Sequence, residues 1–146
     1  PPNDRYPKGF NPHKYLNALG SKRNCLLMGY DQAVQWNKKQ GFDKNSSFCI
    51  LVEGPLDAAK VGPPAIAILG KSLSEIQASL IKENFGKIII LADNDKAGNE
   101  CKQCIFKRLN PYPIDDITIP SGKDAGELSY TEALNLVKTS EFYKTK

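Results

Sequence analysis

Three carboxylates stand where strands should end. Glu53 follows the apolar run FCILV (48–52), and Asp93 and Asp95 follow KIIILA (87–92) as Asp-Asn-Asp. A carboxylate placed directly after so apolar a segment is costly unless it is solvated, paired or metal-bound. Asp93 and Asp95, two residues apart in a turn, can converge on one cation, and oxygen donors of this kind select a hard ion such as Mg²⁺ or Mn²⁺. Mg²⁺ commonly takes one or two protein carboxylates and fills its other positions with water and substrate phosphate. Two such ions about 3.5–4 Å apart can hold the attacking and leaving oxygens of an in-line displacement. Gly54 and Gly98 leave room for a phosphate to approach the backbone. The residues therefore point to a magnesium centre for phosphoryl or nucleotidyl chemistry, with Glu53, Asp93 and Asp95 at its heart.

A third polar cluster, Gly122-Lys123-Asp124-Ala125-Gly126-Glu127, follows the run IDDITI (114–119). Each site has a plainer reading when taken singly. Asp95 also suits the N-cap of a helix over 96–109, Glu53 could pair with a lysine, and Lys123 could only neutralise its acidic neighbours. Their recurrence at successive strand ends favours the functional reading. Nothing competes with it: His13 is the one histidine, in an irregular stretch, so no Ser-His-Asp arrangement is available. Neither a P-loop nor a G-x-G-x-x-G occurs.

The elements that must position these groups follow from the apolar pattern. Continuous apolar runs at 48–52, 65–69 (AIAIL) and 87–92 have strand length and suit parallel strands buried on both faces. The run at 114–119 alternates, as a strand nearer an edge does. Between them lie helices expected at 55–61, opened by Pro55; at 73–84, with Ser72 as N-cap and Glu75 completing a capping box; and at 96–109. In the second of these, Leu73, Ile76, Leu80 and Ile81 share one face. A last helix is expected from about Tyr130 to Val137. Upstream, 25–30 (CLLMGY) reads as a short strand and 31–39 as a helix capped by Asp31. Strand and helix alternate four times after residue 47, so the expected fold is α/β, a four-stranded and mainly parallel sheet flanked by helices. Ligands of such sheets bind beyond the carboxyl ends of the strands. That is where the acidic residues fall.

Bulk properties fit this picture. The chain has 146 residues, 40% hydrophobic and 25% charged, enough for one domain with a real core. No apolar run reaches the ~18–20 residues of a membrane span, and residues 1–4 (PPND) do not begin a signal peptide. The missing initiator Met points to a processed chain or an excised fragment. The net charge of +4 is uneven: residues 1–47 carry eight Lys/Arg against three Asp (+5), and the remainder twelve against thirteen acids (−1). A basic lead-in before an acidic-leaning part suits a polyanionic partner. Of the four cysteines, Cys101 and Cys104 form a C-x-x-C without the second ligand pair that zinc would need. They are expected as small buried residues one helical turn apart.

At these residues the sequence resembles the Toprim family, the catalytic domain shared by bacterial-type DNA primases, type IA and type II topoisomerases and certain nucleases. That family has a Glu after its first strand and an Asp-x-Asp after its third, here L-V-E-G-P-L-D-A (Glu53) and L-A-D-N-D-K-A-G (Asp93, Asp95). The resemblance covers about residues 48–137. Within the family the chain looks most like DnaG-type and phage primases. Glu53-Gly54-x-x-Asp57 has the primase form, and Leu69-Gly70-Lys71-Ser72-Leu73-Ser74-x-x-Gln77 is similar to L-G-T-x-L-T-x-x-Q with Lys71 at the usual Thr. Pro120-x-Gly122-Lys123-Asp124-x-x-Glu127 is similar to P-x-G-K-D-P-x-E with Ala125 for Pro. Residues 15–33 resemble the stretch just before a primase Toprim core.

The resemblance implies a basic lead-in (1–47) belonging to a primase-type N-terminal subdomain and a Toprim catalytic domain (48–146). It implies template-directed ribonucleotide transfer that makes RNA primers for DNA replication. Asp93 and Asp95 would hold Mg²⁺ or Mn²⁺, and Glu53 would bind metal or assist proton transfer. Asp57 and Asp124 would be outer ligands, and Lys22, Arg23 and Lys123 would contact nucleotide or nucleic acid. The implied partners are a single-stranded DNA template, NTPs and, through further regions, a replicative helicase. The implied setting is the cytoplasm of a bacterium or phage-infected host, with no membrane. Little primer synthesis is expected of these residues alone. Two other readings stay open: a stand-alone Toprim nuclease or RNA-processing enzyme, and a non-catalytic nucleic-acid-binding module.

Overall fold

The computed structural model describes residues 26–70, 72–120, 123 and 127–145. Four strands form one sheet in the order β2-β1-β3-β4, all neighbours parallel. They are β1 (Phe48–Val52), β2 (Ala65–Ala67), β3 (Lys87–Ala92) and β4 (Ile114–Thr118). Helices α1 (Tyr30–Lys39), α2 (Pro55–Val61), α3 (Glu75–Asn84), α4 (Lys96–Leu109) and α5 (Tyr130–Lys138) are the helices among the described residues.

The uninterrupted apolar runs are strands because both of their faces are covered. On β1, Cys49 and Leu51 meet one layer, together with Ile88 and Ile90 of β3, Ile81 of α3 and Cys101 and Ile105 of α4. Phe48, Ile50 and Val52 meet the other, with Ile89 and Leu91 of β3, Ala58 and Val61 of α2 and Ala133 and Val137 of α5. The period-2 alternation of Cβ direction thus divides one apolar run between two cores. β4, at the edge, is buried only at Ile117, as its alternating sequence requires. Its Asp115 accepts a hydrogen bond from Ser140 Oγ at 2.5 Å, and its Asp116 pairs with the nearly buried Lys102 of α4 at 3.1 Å.

Four details of the expected elements change. The strand expected at 25–30 does not form over its described residues, 26–30: Met28 makes only an isolated antiparallel bridge with Ala67, and the helix begins at Tyr30. The cap of α1 is Gly29 rather than Asp31. Its φ of 89° suits glycine, and a Cβ there would lie 2.6 Å from the Ala65 carbonyl oxygen. Asp31 sits instead in the first turn, where the helix dipole favours a carboxylate. The second strand stops at Ala67 because Leu69 turns to φ 58°. Finally, α3 starts at Glu75, and its capping box joins Ser74 to Gln77, not Ser72 to Glu75. Leu73 is buried in the core ahead of the helix, and Ile76 is half exposed while Gln77 and Ala78 turn inward. Gln77 then has three tasks: its Oε1 accepts from Ser74 N–H, and its Nε2 donates to the carbonyls of Leu26 and Ile68.

Candidate metal centre

The strand order decides where a ligand can sit. From β1 the chain moves to β2 on one side, whereas β3 pairs with β1 on the other. The order therefore reverses between β1 and β3, and the crevice beyond their carboxyl ends is the place where such sheets take ligands. Glu53 leaves β1 and Asp93 leaves β3 at that crevice. The ends are tied to their neighbours: Leu69 N–H donates to the Glu53 carbonyl at 3.2 Å, and Ile68 N–H to that of Val52 at 3.1 Å. Leu69 holds its left-handed backbone beside Glu53. Nothing in its sequence marks it, because leucine carries no such preference.

Asp95 is the N-cap of α4, its Oδ1 accepting from Gly98 N–H at 2.7 Å. One carboxylate oxygen is thus spent on the helix, and the other keeps its capacity for a cation. Gly98 lets that first turn close onto the exit of β3, since a Cβ at 98 would lie 1.9 Å from the Asp93 carbonyl oxygen. Both functions proposed for Asp95, cap and ligand, are compatible in one residue.

Glu53 carries the electrostatic signature of the site. Burial pushes its carboxyl above the ordinary range, the Asp93 and Asp95 carboxylates push it further, and a hydrogen bond from the Asp93 backbone offsets part of this, with Asp57 adding a smaller push. Its Oε1 is buried and has no hydrogen-bond partner among the described residues. An orphaned carboxylate oxygen within electrostatic reach of three other carboxylates is a donor set that a divalent cation would satisfy. Among the described residues, no three His, Cys, Asp or Glu side chains form a ready-made cage. Mg²⁺ does not need one, because it binds through one or two carboxylates and completes its shell with water and phosphate. The residues present therefore fit a hard divalent ion.

Asp93, Asp95 and Asp57 all lie within electrostatic reach of Glu53. Asp57 lies in the first turn of α2. Lys123 ion-pairs with Glu132 of α5 at 3.1 Å. Lys22, Arg23 and Asp124 lie outside the described residues. Cys101 and Cys104 are free thiols on α4, the first fully buried and the second partly. Burial, with a contribution from nearby Glu53, pushes the Cys101 thiol up to about 12, so it is neither a thiolate ligand nor a nucleophile near neutral pH.

Comparison with known proteins turns on this same stretch. The Toprim-like family matches residues 50–129, from β1 through the loop that precedes α5. The chain belongs to the Toprim-like family. Within it, this Toprim domain is of the DnaG primase type. It is 30% identical over 123 residues to the DNA primase of Aquifex aeolicus, covering 78% of this chain and 24% of that protein. It superposes on the crystal structure of the Aquifex aeolicus primase zinc-binding and RNA polymerase domains with a TM-score of 0.68 at 26% identity. That match covers 94% of this chain and 34% of the other. A DnaG primase catalytic domain solved bound to single-stranded DNA has the same fold, with a TM-score of 0.64 at 19% identity over 82% of this chain and 38% of that one. The Toprim domain thus spans about a quarter of the Aquifex aeolicus primase. No helix among the described residues is long and apolar enough to cross a membrane.

Proposed function

We propose that this Toprim domain is the catalytic core of a DNA primase, serving metal-dependent, template-directed ribonucleotide transfer. The observation that carries the reading is the orphaned Glu53 oxygen set against Asp93 and Asp95 at the β1/β3 switch point. The relatives named as DNA primases support the reaction class, and the relative solved with single-stranded DNA supports that strand as the template.

In this reading Asp93 and Asp95 hold Mg²⁺ or Mn²⁺, with Asp57 and Asp124 reaching its water shell. Such an ion, when bound, neutralises charge developing on the transferred phosphoryl group, and this is the main source of rate acceleration in such chemistry. Glu53 has two compatible roles. It can complete the ligand set, or it can accept the proton of the attacking 3′-hydroxyl, for which a carboxyl raised above its ordinary range is better matched to neutral pH. Gly54 keeps a side chain away from the phosphate path, whereas Gly98, expected to do the same, instead lets α4 close against the Asp93 backbone. Lys123 exchanges its Glu132 partner for a phosphate oxygen, and Lys22 and Arg23 contact nucleotide or template. Residues 48–146 form the catalytic unit, and 1–47 belong to a basic subdomain that helps hold the template. A replicative helicase is the partner expected of the whole protein.

The test is primer synthesis by the natural gene product that carries these residues, given single-stranded DNA, NTPs and Mg²⁺. Template-dependent RNA oligomers that disappear in Asp93→Asn are expected. Cleavage of a labelled strand without NTPs, lost in the same variant, would assign the site to a nuclease instead.

A further inference from the structure

A second charged feature lies between α3 and α4, and none of its lining residues belongs to the cluster of Glu53, Asp57, Asp93 and Asp95. α3 and α4 enclose a groove of about 380 Å³ lined by Glu75, Ala78, Ser79, Lys82, Lys107 and Arg108. Its depth has a cause. α3 turns Gln77, Ala78 and Ile81 inward, so the α3 wall of the groove is a ridge of Glu75, Ser79 and Lys82 around the small Ala78. The wall from α4 is that helix's last turn, which carries Lys107 and Arg108.

The charges do not balance. Three cations face one carboxylate, a net of +2. Arg108 pairs with Glu75 at 2.8 Å. Lys82 lies over the Tyr112 ring, 5.9 Å from its centroid. Neither Lys82 nor Lys107 has an ion-pair partner among the described residues. Cations in last turns do complement helix dipoles, and that accounts for each residue singly. It does not account for two such lysines and a guanidinium sharing one groove, where like charges oppose each other.

We propose that the α3/α4 groove is a phosphodiester-binding site for single-stranded nucleic acid, separate from the metal centre. Lys82 and Lys107 act as point charges on successive phosphates, Arg108 offers a fork of donors, and the Ser79 hydroxyl can donate to a phosphate oxygen. A strand suits the groove better than an acidic peptide. The groove is open and carries a net of +2, and a phosphodiester backbone supplies an anion at every residue along such a channel.

The experiment is fluorescence anisotropy of labelled oligo-dT with the whole chain in EDTA, which removes any contribution of metal, across a salt series. The Lys82→Gln/Lys107→Gln double variant is compared with Lys138→Gln/Lys144→Gln, which removes two exposed charges at and beyond the last turn of α5. Each phosphate contact on a single strand contributes about 0.7 to the slope of log K against log salt. The groove variant should lose about 1.4 of that slope and about 25-fold in affinity near 0.1 M salt, an effect that vanishes toward 1 M. The α5 variant should bind like wild type. Equal slopes for the groove variant and wild type would overturn the proposal, as would an equal loss in the α5 variant. Displacement of the strand by polyglutamate at equal charge concentration would also overturn it, assigning the groove to acidic proteins.

Discussion

Gly98→Ala sets two effects of opposite sign against each other. Gly98 lies in the first turn of a 14-residue helix, and inside helices alanine is favoured over glycine by about 1 kcal/mol. On propensity alone the variant should gain stability. The packing says the reverse. The new methyl would lie 1.9 Å from the Asp93 carbonyl oxygen, 2.8 Å from the carbonyl carbon and 3.2 Å from Asp95 Oδ1. Ordinary carbon–oxygen contacts begin near ~3.3 Å. The contact must therefore open by more than an ångström, and its closest partner is backbone, which cannot rotate aside. Overpacking of this kind costs about 1–3 kcal/mol, and lifting the helix start weakens the Asp95 cap, worth about 1 kcal/mol. After the propensity gain is subtracted, a net loss of about 1–3 kcal/mol remains. For a chain of this size that lowers Tm by roughly 3–10 °C. Calorimetry in EDTA reads this directly. Gly70→Ala, whose Cβ would meet nothing within 4 Å, is the matched comparison and should be neutral. A Gly98→Ala protein as stable as wild type would refute the idea that α4 closes against the Asp93 backbone.

Further outcomes follow from the same geometry. Glu53→Gln should raise Tm at pH 7–8: the folded state holds the Glu53 proton more tightly than the unfolded chain does, so stability falls as pH rises from about the ordinary 4.5 through the raised native value. The gain over wild type should shrink as pH is lowered toward 4.5, and a gain that grows there would contradict the assigned shift. Asp95→Ala should cost about 0.5–2 kcal/mol by removing the cap, whereas Asp95→Asn should keep most of that stability. Both should weaken Mn²⁺ binding, which separates the ligand role from the cap, and calorimetry with titration of the metal reads the two effects apart. Gln77→Ala strands the Leu26 and Ile68 carbonyls and breaks the capping box, so urea unfolding should show a loss of about 2–4 kcal/mol.

The sheet and the carboxylate cluster were legible because their signals are local and redundant. FCILV and KIIILA can only be strands covered on both faces, and acids at their exits must be accounted for. Other features were set by tertiary context. Leu73 reads as a helical residue on spacing, yet the core takes it before the helix starts, and this moves the cap from Ser72 to Ser74. Ile76 fits the apolar period, but α3 rotates to give Gln77 its backbone partners. Leu69 adopts φ 58° without any residue-type cue. The groove cations of α3 and α4 lie 25 residues apart in sequence (Lys82 to Lys107), so only packing brings them together.

The central claim is that Glu53, Asp93 and Asp95 hold a divalent cation at the β1/β3 switch point. Mn²⁺ titration followed by electron paramagnetic resonance tests it most directly, because it counts bound ions without requiring catalysis. Wild-type protein should bind Mn²⁺, with competition by Mg²⁺, and Asp93→Asn should lose that binding while unfolding at a similar temperature. Undiminished Mn²⁺ binding in a folded Asp93→Asn protein, or no binding by wild type, would contradict the account.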